Sequence, residues 1–275
     1  MSGAENLRRR RLQFLRRKKS AERTQAMTIM EHLRELRTRL IIAAIAFVVV
    51  SIVAFIFYEP IFEFLRRPLC GLSAERLGPQ GCRLIQRRVL EGVQVRLKIS
   101  VLAGIVFASP VWLYQLWAFI VPGLTERERK LAVPFVVSSV FLFGIGTTFA
   151  YLTLPAGLGF LIDIGGGSLV PFFEADTYIN FVGLVVIAFG LTFELPLVLL
   201  FLGLAGVISV AWLRQHRKIA IILIALLAAV VTPSQDPYTF LAMAVPLYAL
   251  YEVTILILRL VERRRAKKEA KTGSV

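Results

Sequence analysis

Polar and apolar positions along this chain segregate into blocks. Uncharged runs cover Ile41–Tyr58, Ile99–Thr125, Leu131–Ile162, Thr177–Phe193, Leu195–Leu213, Ile219–Gln235 and Pro237–Tyr251. Most reach the roughly 20 residues that a helix needs to cross a bilayer core. Six spans follow if the two blocks flanking Glu194 form one helix and the last block extends through Glu252 to about Leu258. The predicted spans are about 40–58, 99–121, 131–154, 177–206, 219–232 and 237–258.

The fifth span is short. Ile219–Val231 offers 13 residues before Thr232-Pro233, about 20 Å at 1.5 Å per residue against a core of roughly 30 Å. The bilayer is expected to thin there, or neighbouring helices to shield the mismatch. The turn Thr232–Pro237 predicts a tight hairpin with helices five and six antiparallel. Pro110, Pro134, Pro196 and Pro246 each remove a backbone hydrogen bond and favour a bend, so a concave wall is expected instead of a straight bundle. No internal repeat is visible, which weakens a transporter built on repeated halves.

Ahead of the first span, Leu33, Leu36 and Leu40 form an apolar stripe, and Glu31, Glu35 and Arg39 recur at four-residue intervals on another face. This pattern predicts an amphipathic helix on the cytoplasmic membrane surface. No small-x-small cleavage site follows the first span, which runs on as Tyr58-Glu59-Pro60, so it reads as a span and not a removable signal.

Composition agrees: 57% of the 275 residues are hydrophobic and 19% are charged, against about 25% charged for an ordinary soluble domain. A soluble enzyme, a DNA-binding domain and a disordered basic protein are excluded, although the net charge is +15. The location of the charge gives it meaning. With both termini cytoplasmic, 25 of the 33 Lys and Arg lie inside and 8 outside, as the positive-inside rule prefers. Residues 1–29 and 259–275 are then basic cytoplasmic tails attracted to anionic lipid, flanking a membrane domain over 30–258.

Both cysteines, Cys70 and Cys82, fall in the long outside loop, where Pro68, Gly71, Gly78, Pro79 and Gly81 predict little regular structure. A disulfide there is expected to contribute about 2–3 kcal/mol. No metal site, cofactor site or catalytic constellation emerges, and His32 and His216 both sit at cytoplasmic edges. Glu194, in Leu191-Thr192-Phe193-Glu194-Leu195-Pro196, costs some 2.5–3.5 kcal/mol near the bilayer centre if unpaired. It either contacts a polar cavity or partner, or is protonated and bonded to backbone freed by Pro196. Glu252, near the cytoplasmic end, is expected to snorkel. Thr125 and Glu128 form a capping box opening helix three, and Glu35 pairs with Arg39.

The same segments carry a family pattern. His32-Leu33-Arg34-Glu35-Leu36-Arg37-Thr38-Arg39 resembles the opening signature of the TatC family, the large subunit of the twin-arginine protein translocase. Ser109-Pro110-Val111-Trp112-Leu113-Tyr114-Gln115-Leu116-Trp117-Ala118-Phe119-Ile120-Val121-Pro122-Gly123-Leu124, then Glu128-Arg129, is similar to its second span and first cytoplasmic loop. Phe189-Gly190-Leu191-Thr192-Phe193-Glu194-Leu195-Pro196 and Thr232-Pro233 extend the match, which runs from about Met30 to Leu258. Two positions depart from the family: its Glu-small-Phe segment reads Glu91-Gly92-Val93 here, and its polar residue early in span six falls on Phe240.

The resemblance implies an all-α, glove-shaped integral membrane protein of six helices, non-enzymatic and without cofactor, in the cell membrane. It implies that Glu35 and Glu128, with Phe119, Arg37 and Gln115, bind twin-arginine signal peptides of folded cargo. Glu194, Thr232 and Asp236 are the intramembrane polar residues expected to meet partners of the TatA and TatB type, in a proton-gradient-driven complex holding several copies of the chain. Nucleic acid is not an expected partner. The rival from another class is a small-solute transporter with Glu194 as its coupling carboxylate; an intramembrane protease lacks its nucleophile and base.

Overall fold

The computed structural model describes residues 29–79, 81–120, 132–166, 172–232 and 236–272, and these are almost entirely helical. By internal contacts the chain divides into a unit up to Ile41 and a unit from Ile42 onward. Helix α1 covers Ile29–Ile56. The amphipathic leader and the first span are therefore one helix, not a surface helix followed by a separate span. No Gly or Pro lies between Met30 and Ile56 to interrupt it. Its apolar residues face outward along most of its length, and Ala54 alone is buried among its described residues.

The link between the first two spans holds α2 (Tyr58–Cys70) and the single turn α3 (Ala74–Leu77). The expectation of little regular structure fails for α2, which accommodates Pro68 in its last turn. Leu65 and Leu69 bury against the core, and the Tyr151 and Tyr178 hydroxyls donate to the Phe64 and Leu65 carbonyls at 2.7 Å each.

The second apolar block forms α4 (Glu91–Phe107) and α5 (Ser109–Ile120), bent 52° apart at Ala108. Pro110, at the start of α5, has no N–H to continue the ladder. The third block is α6 (Ala132–Ile164), ten residues longer than its predicted end at 154. The fourth divides into α7 (Ala175–Thr192) and α8 (Leu195–Leu204), with Pro196 in the first turn of α8. A short α9 (Val210–Gln215) leads to α10 (Arg217–Val231), and α11 (Pro237–Thr272) runs through Pro246 into the basic tail without a break. Pro134 is the third described residue of α6, and the helix continues from it without a break. Of the four prolines, two thus coincide with breaks.

Among the described residues four helices are long and apolar enough to cross a membrane, or five with the bent α4–α5 pair counted as one span; α10, at 15 residues, falls short. This is a multi-pass membrane protein. Its centre is α7, packed against α6 on one side and α4 on the other. Tyr178, Val182, Val185, Phe189 and Phe193 recur at helical spacing and fill the core with Ile99, Ala150 and Leu154. Within a bilayer, close approach depends on small residues, since lipid tails are as apolar as the core. Gly146 and Gly190 supply it here: a Cβ on Gly190 would lie 2.7 Å from the Phe143 ring.

Candidate functional site

The residues expected at a peptide-binding surface lie on two helices. On α1, the Arg39 guanidinium donates to Glu35 Oε1 through Nε at 2.9 Å and Nη2 at 2.5 Å. The two side chains are about a fifth to a quarter exposed. The expected four-residue pair is present, and such pairs are worth only tenths of a kcal/mol. Glu35 Oε2 is covered but accepts no hydrogen bond among the described residues. Arg37 points into solvent, and the Thr38 hydroxyl donates to the Arg34 carbonyl at 3.1 Å. On α5, the rings of Trp117, Phe135 and Phe201 cluster at 5.2–5.9 Å and bury Trp117. That cluster fixes the rotation of α5, leaving Gln115 and Phe119, four residues apart, half-buried on a neighbouring face. Glu128 and its capping partner Thr125 lie outside the described residues.

The intramembrane polar position is built around the α7–α8 break. Glu194 stands at the N-cap of α8, yet its side chain caps nothing. Its backbone carbonyl serves that turn instead, accepting from Leu197 and Val198 at 3.0 and 3.1 Å. This frees the carboxyl group to reach α6, where the buried Ser139 hydroxyl donates to Oε2 at 2.6 Å. Oε1 is buried and has no hydrogen-bond partner among the described residues. A carboxyl group with one oxygen held and the other unfilled, inside a span, is poised to meet a further polar group. Sequence reasoning missed Ser139; the only signal was the hydroxyl pair Ser138-Ser139 within an apolar run.

Thr232 and Asp236 are both buried to 1% exposure. Asp236 precedes α11 and accepts from the Thr239 N–H at 2.8 Å and from the Thr239 hydroxyl, so it caps that helix. It packs against α6 at Gly157, where a Cβ would lie 2.7 Å from the Thr239 methyl and 3.4 Å from Asp236 Oδ2. The Thr232 hydroxyl donates to the Ala228 carbonyl at 2.7 Å, closing the last turn of α10. Residues 233–235 of the predicted hairpin lie outside the described residues, and α10 packs along α11 as expected. Glu252 does not merely snorkel: Arg217 donates to it at 2.6 Å and the Tyr248 hydroxyl at 3.1 Å, tying α10 to α11.

The link between spans one and two carries the expected disulfide and, beside it, contacts that the sequence did not announce. Cys70 and Cys82 are bonded, with Cα atoms 4.9 Å apart. Arg76 makes a forked pair with Asp163 at 3.0 and 2.8 Å. Ile85 bridges to residues 173–175, its N–H donating to the Phe173 carbonyl and its carbonyl accepting from Ala175. Glu91, fully buried, accepts the N–H groups of Arg87, Arg88 and Asp176 at 2.6, 3.1 and 3.3 Å. Among the described residues no group of three or more His, Cys, Asp or Glu could hold a metal ion.

Comparison with known proteins agrees with this arrangement. The profile of the family described as Sec-independent protein translocase protein (TatC) matches residues 31–246. The chain is 47% identical over 248 residues to the Sec-independent protein translocase protein TatC of Frankia casuarinae, covering 88% of this chain and 68% of that protein. It is 40% identical to the Aquifex aeolicus protein of the same description, covering 87% of this chain and 98% of that one. The solved structure described as the twin arginine translocase receptor TatC in DDM superimposes with a TM-score of 0.69 at 41% identity, over 82% of this chain and 99% of that one. Matched by that profile over most of its length and by relatives and a solved structure at these identities, this chain belongs to the TatC family of protein translocase components, which are membrane receptors and not enzymes.

Proposed function

We propose that this protein is the receptor subunit of a twin-arginine translocase in the cell membrane. It crosses the membrane six times with both termini in the cytoplasm, counting α10 as the short fifth span. Glu35 and Glu128, aided by Phe119, Arg37 and Gln115, bind the arginine pair of signal peptides on folded cargo. Single-span partners of the TatA and TatB type meet the intramembrane polar residues Glu194, Thr232 and Asp236, and the proton gradient drives export from a complex holding several copies of the chain. Family membership carries this reading, and the state of Glu35 supports it. Its resting partner is Arg39 on the same helix, and a guanidinium from a peptide can replace that weak pair with forked, charge-assisted bonds.

The test is binding of an arginine-pair peptide and its double-lysine counterpart to the purified protein. The arginine peptide should bind more tightly, and Glu35→Ala and Glu128→Ala should each narrow that preference. Each charged contact is worth about 1.5–3 kcal/mol where water is partly excluded. Folded variants that keep the parent's full preference would remove both glutamates from the site.

A further inference from the structure

Five successive residues just before α4, Gln86 to Leu90, are all exposed. Two of them are large and apolar: Val89 is 98% exposed and Leu90 68%. Their backbone is nevertheless fixed. The buried Glu91 carboxylate holds the Arg87 and Arg88 N–H groups, and Ile85 is bridged to residues 173–175. The tip is a rigid platform that presents two arginines and two aliphatic side chains outward.

The surroundings of the tip show which medium it meets. In the first three turns of α4 the charged residues turn toward protein. Glu91 is buried, Arg96 donates to the Phe55 carbonyl at 3.0 Å and lies over the Phe55 ring, and Lys98 pairs with Asp176 at 2.5 Å. The outward face carries Val93, Leu97 and Val101, all about half exposed, with Gln94 beside them. A helix end standing in water shows the reverse pattern, charges out and apolar residues in. The stripe continues without a step into Leu90 and Val89, so the apolar medium extends to the tip itself. Arg87 and Arg88, adjoining the stripe, then sit at headgroup depth, where long basic side chains reach polar groups while their stems stay in the apolar zone. Neither guanidinium joins an ion pair among the described residues.

We infer that the tip Arg87–Leu90 is a lipid-binding wedge. Val89 and Leu90 insert among acyl chains at the membrane surface where spans one and two are joined, and Arg87 with Arg88 clamps the phosphodiester groups of anionic phospholipids. A guanidinium matches a phosphate with forked hydrogen bonds, and each basic residue near an anionic surface strengthens association about fivefold. Because the backbone is already ordered, little conformational freedom is lost on binding.

The test places a bimane fluorophore on the Val89→Cys variant, whose native cysteines are bonded to each other. The full chain is reconstituted in bilayers of equal bromine content, with acyl bromines carried by phosphatidylglycerol in one set and by phosphatidylcholine in the other. Bimane on Glu75→Cys, an exposed position in α3, serves as the water-facing reference. The label at 89 should be quenched in both bilayers and the label at 75 in neither. Phosphatidylglycerol should be enriched around position 89 several-fold over phosphatidylcholine, and Arg87→Gln with Arg88→Gln, which leave the N–H bonds to Glu91 intact, should abolish the enrichment. Absence of quenching at 89 would mean that water or another protein covers the tip, and the inference fails. It also fails if the two lipids quench equally in the parent, or if the enrichment survives loss of both arginines.

Discussion

Gly146 of α6 and Gly190 of α7 meet so closely that a Cβ on Gly146 would lie 3.1 Å from the Gly190 Cα and 2.8 Å from the Phe189 carbonyl oxygen. The obstacle is backbone, which cannot swing aside. This crossing sets the distance between two polar residues: Ser139 lies two turns before Gly146 on α6, and Glu194 lies one turn after Gly190. The glycine pair is what allows a serine on one helix to bond a carboxyl group on the other.

Gly146→Ala should therefore act at the crossing and at the polar position together. Overpacking of this kind costs about 1–3 kcal/mol. A lower Tm in detergent is expected, with a larger loss for Gly146→Val. An alanine variant as stable as the parent would show that α6 and α7 can separate freely.

Ser139→Ala removes the hydrogen bond that its hydroxyl donates to the Glu194 carboxyl group, and a buried acceptor that loses its donor costs about 1–3 kcal/mol. Glu194→Ala should weaken co-purification with TatA- and TatB-type partners while leaving signal-peptide binding largely intact. Ser139→Ala should affect partner assembly in the same direction. If export and partner recovery are unchanged in both variants, the polar position is only a tolerated core contact.

The Cys70–Cys82 bond closes a loop of modest length and should contribute about 3 kcal/mol by restricting the unfolded chain. Thiol labelling of the membrane-inserted protein after denaturation without reductant should find neither cysteine free. The Cys70→Ser, Cys82→Ser variant should show faster proteolysis between residues 70 and 90 than elsewhere. Full labelling of both thiols in the parent would refute the bond.

Topology follows from the charge split. Reporter fusions after Glu128 and after His216 should read cytoplasmic, and fusions near Gly78 and Gly166 should read from the other side. A cytoplasmic signal at Gly166 would overturn the six-span arrangement. The fusion after His216 bears on α10 as well, because at 15 residues it covers only about 22 Å of a roughly 30 Å core.

The sequence by itself determined where the apolar helices lie, the bends at Pro110 and Pro196 and which family the chain resembles. A helix depends on properties of neighbouring residues, and windows of hydropathy and the missing N–H of Pro110 and Pro196 are visible in the letters. In α1 and α11 the misplaced boundaries lie where no breaker stands, since α1 absorbs the amphipathic leader and α11 continues into the basic tail, whereas α6 outruns its predicted end by running straight through Pro155. Tertiary structure alone decided which polar groups meet. Ser139 and Glu194 are 55 residues apart, Arg76 and Asp163 87, and Glu91 and Asp176 85. Such pairings depend on the rotation and register of packed helices, which small residues such as Gly146 and Gly190 set through backbone approach. A single sequence shows a glutamate inside a span, but only the packing of α6 on α7 supplies the hydroxyl that receives one of its oxygens and leaves the other open.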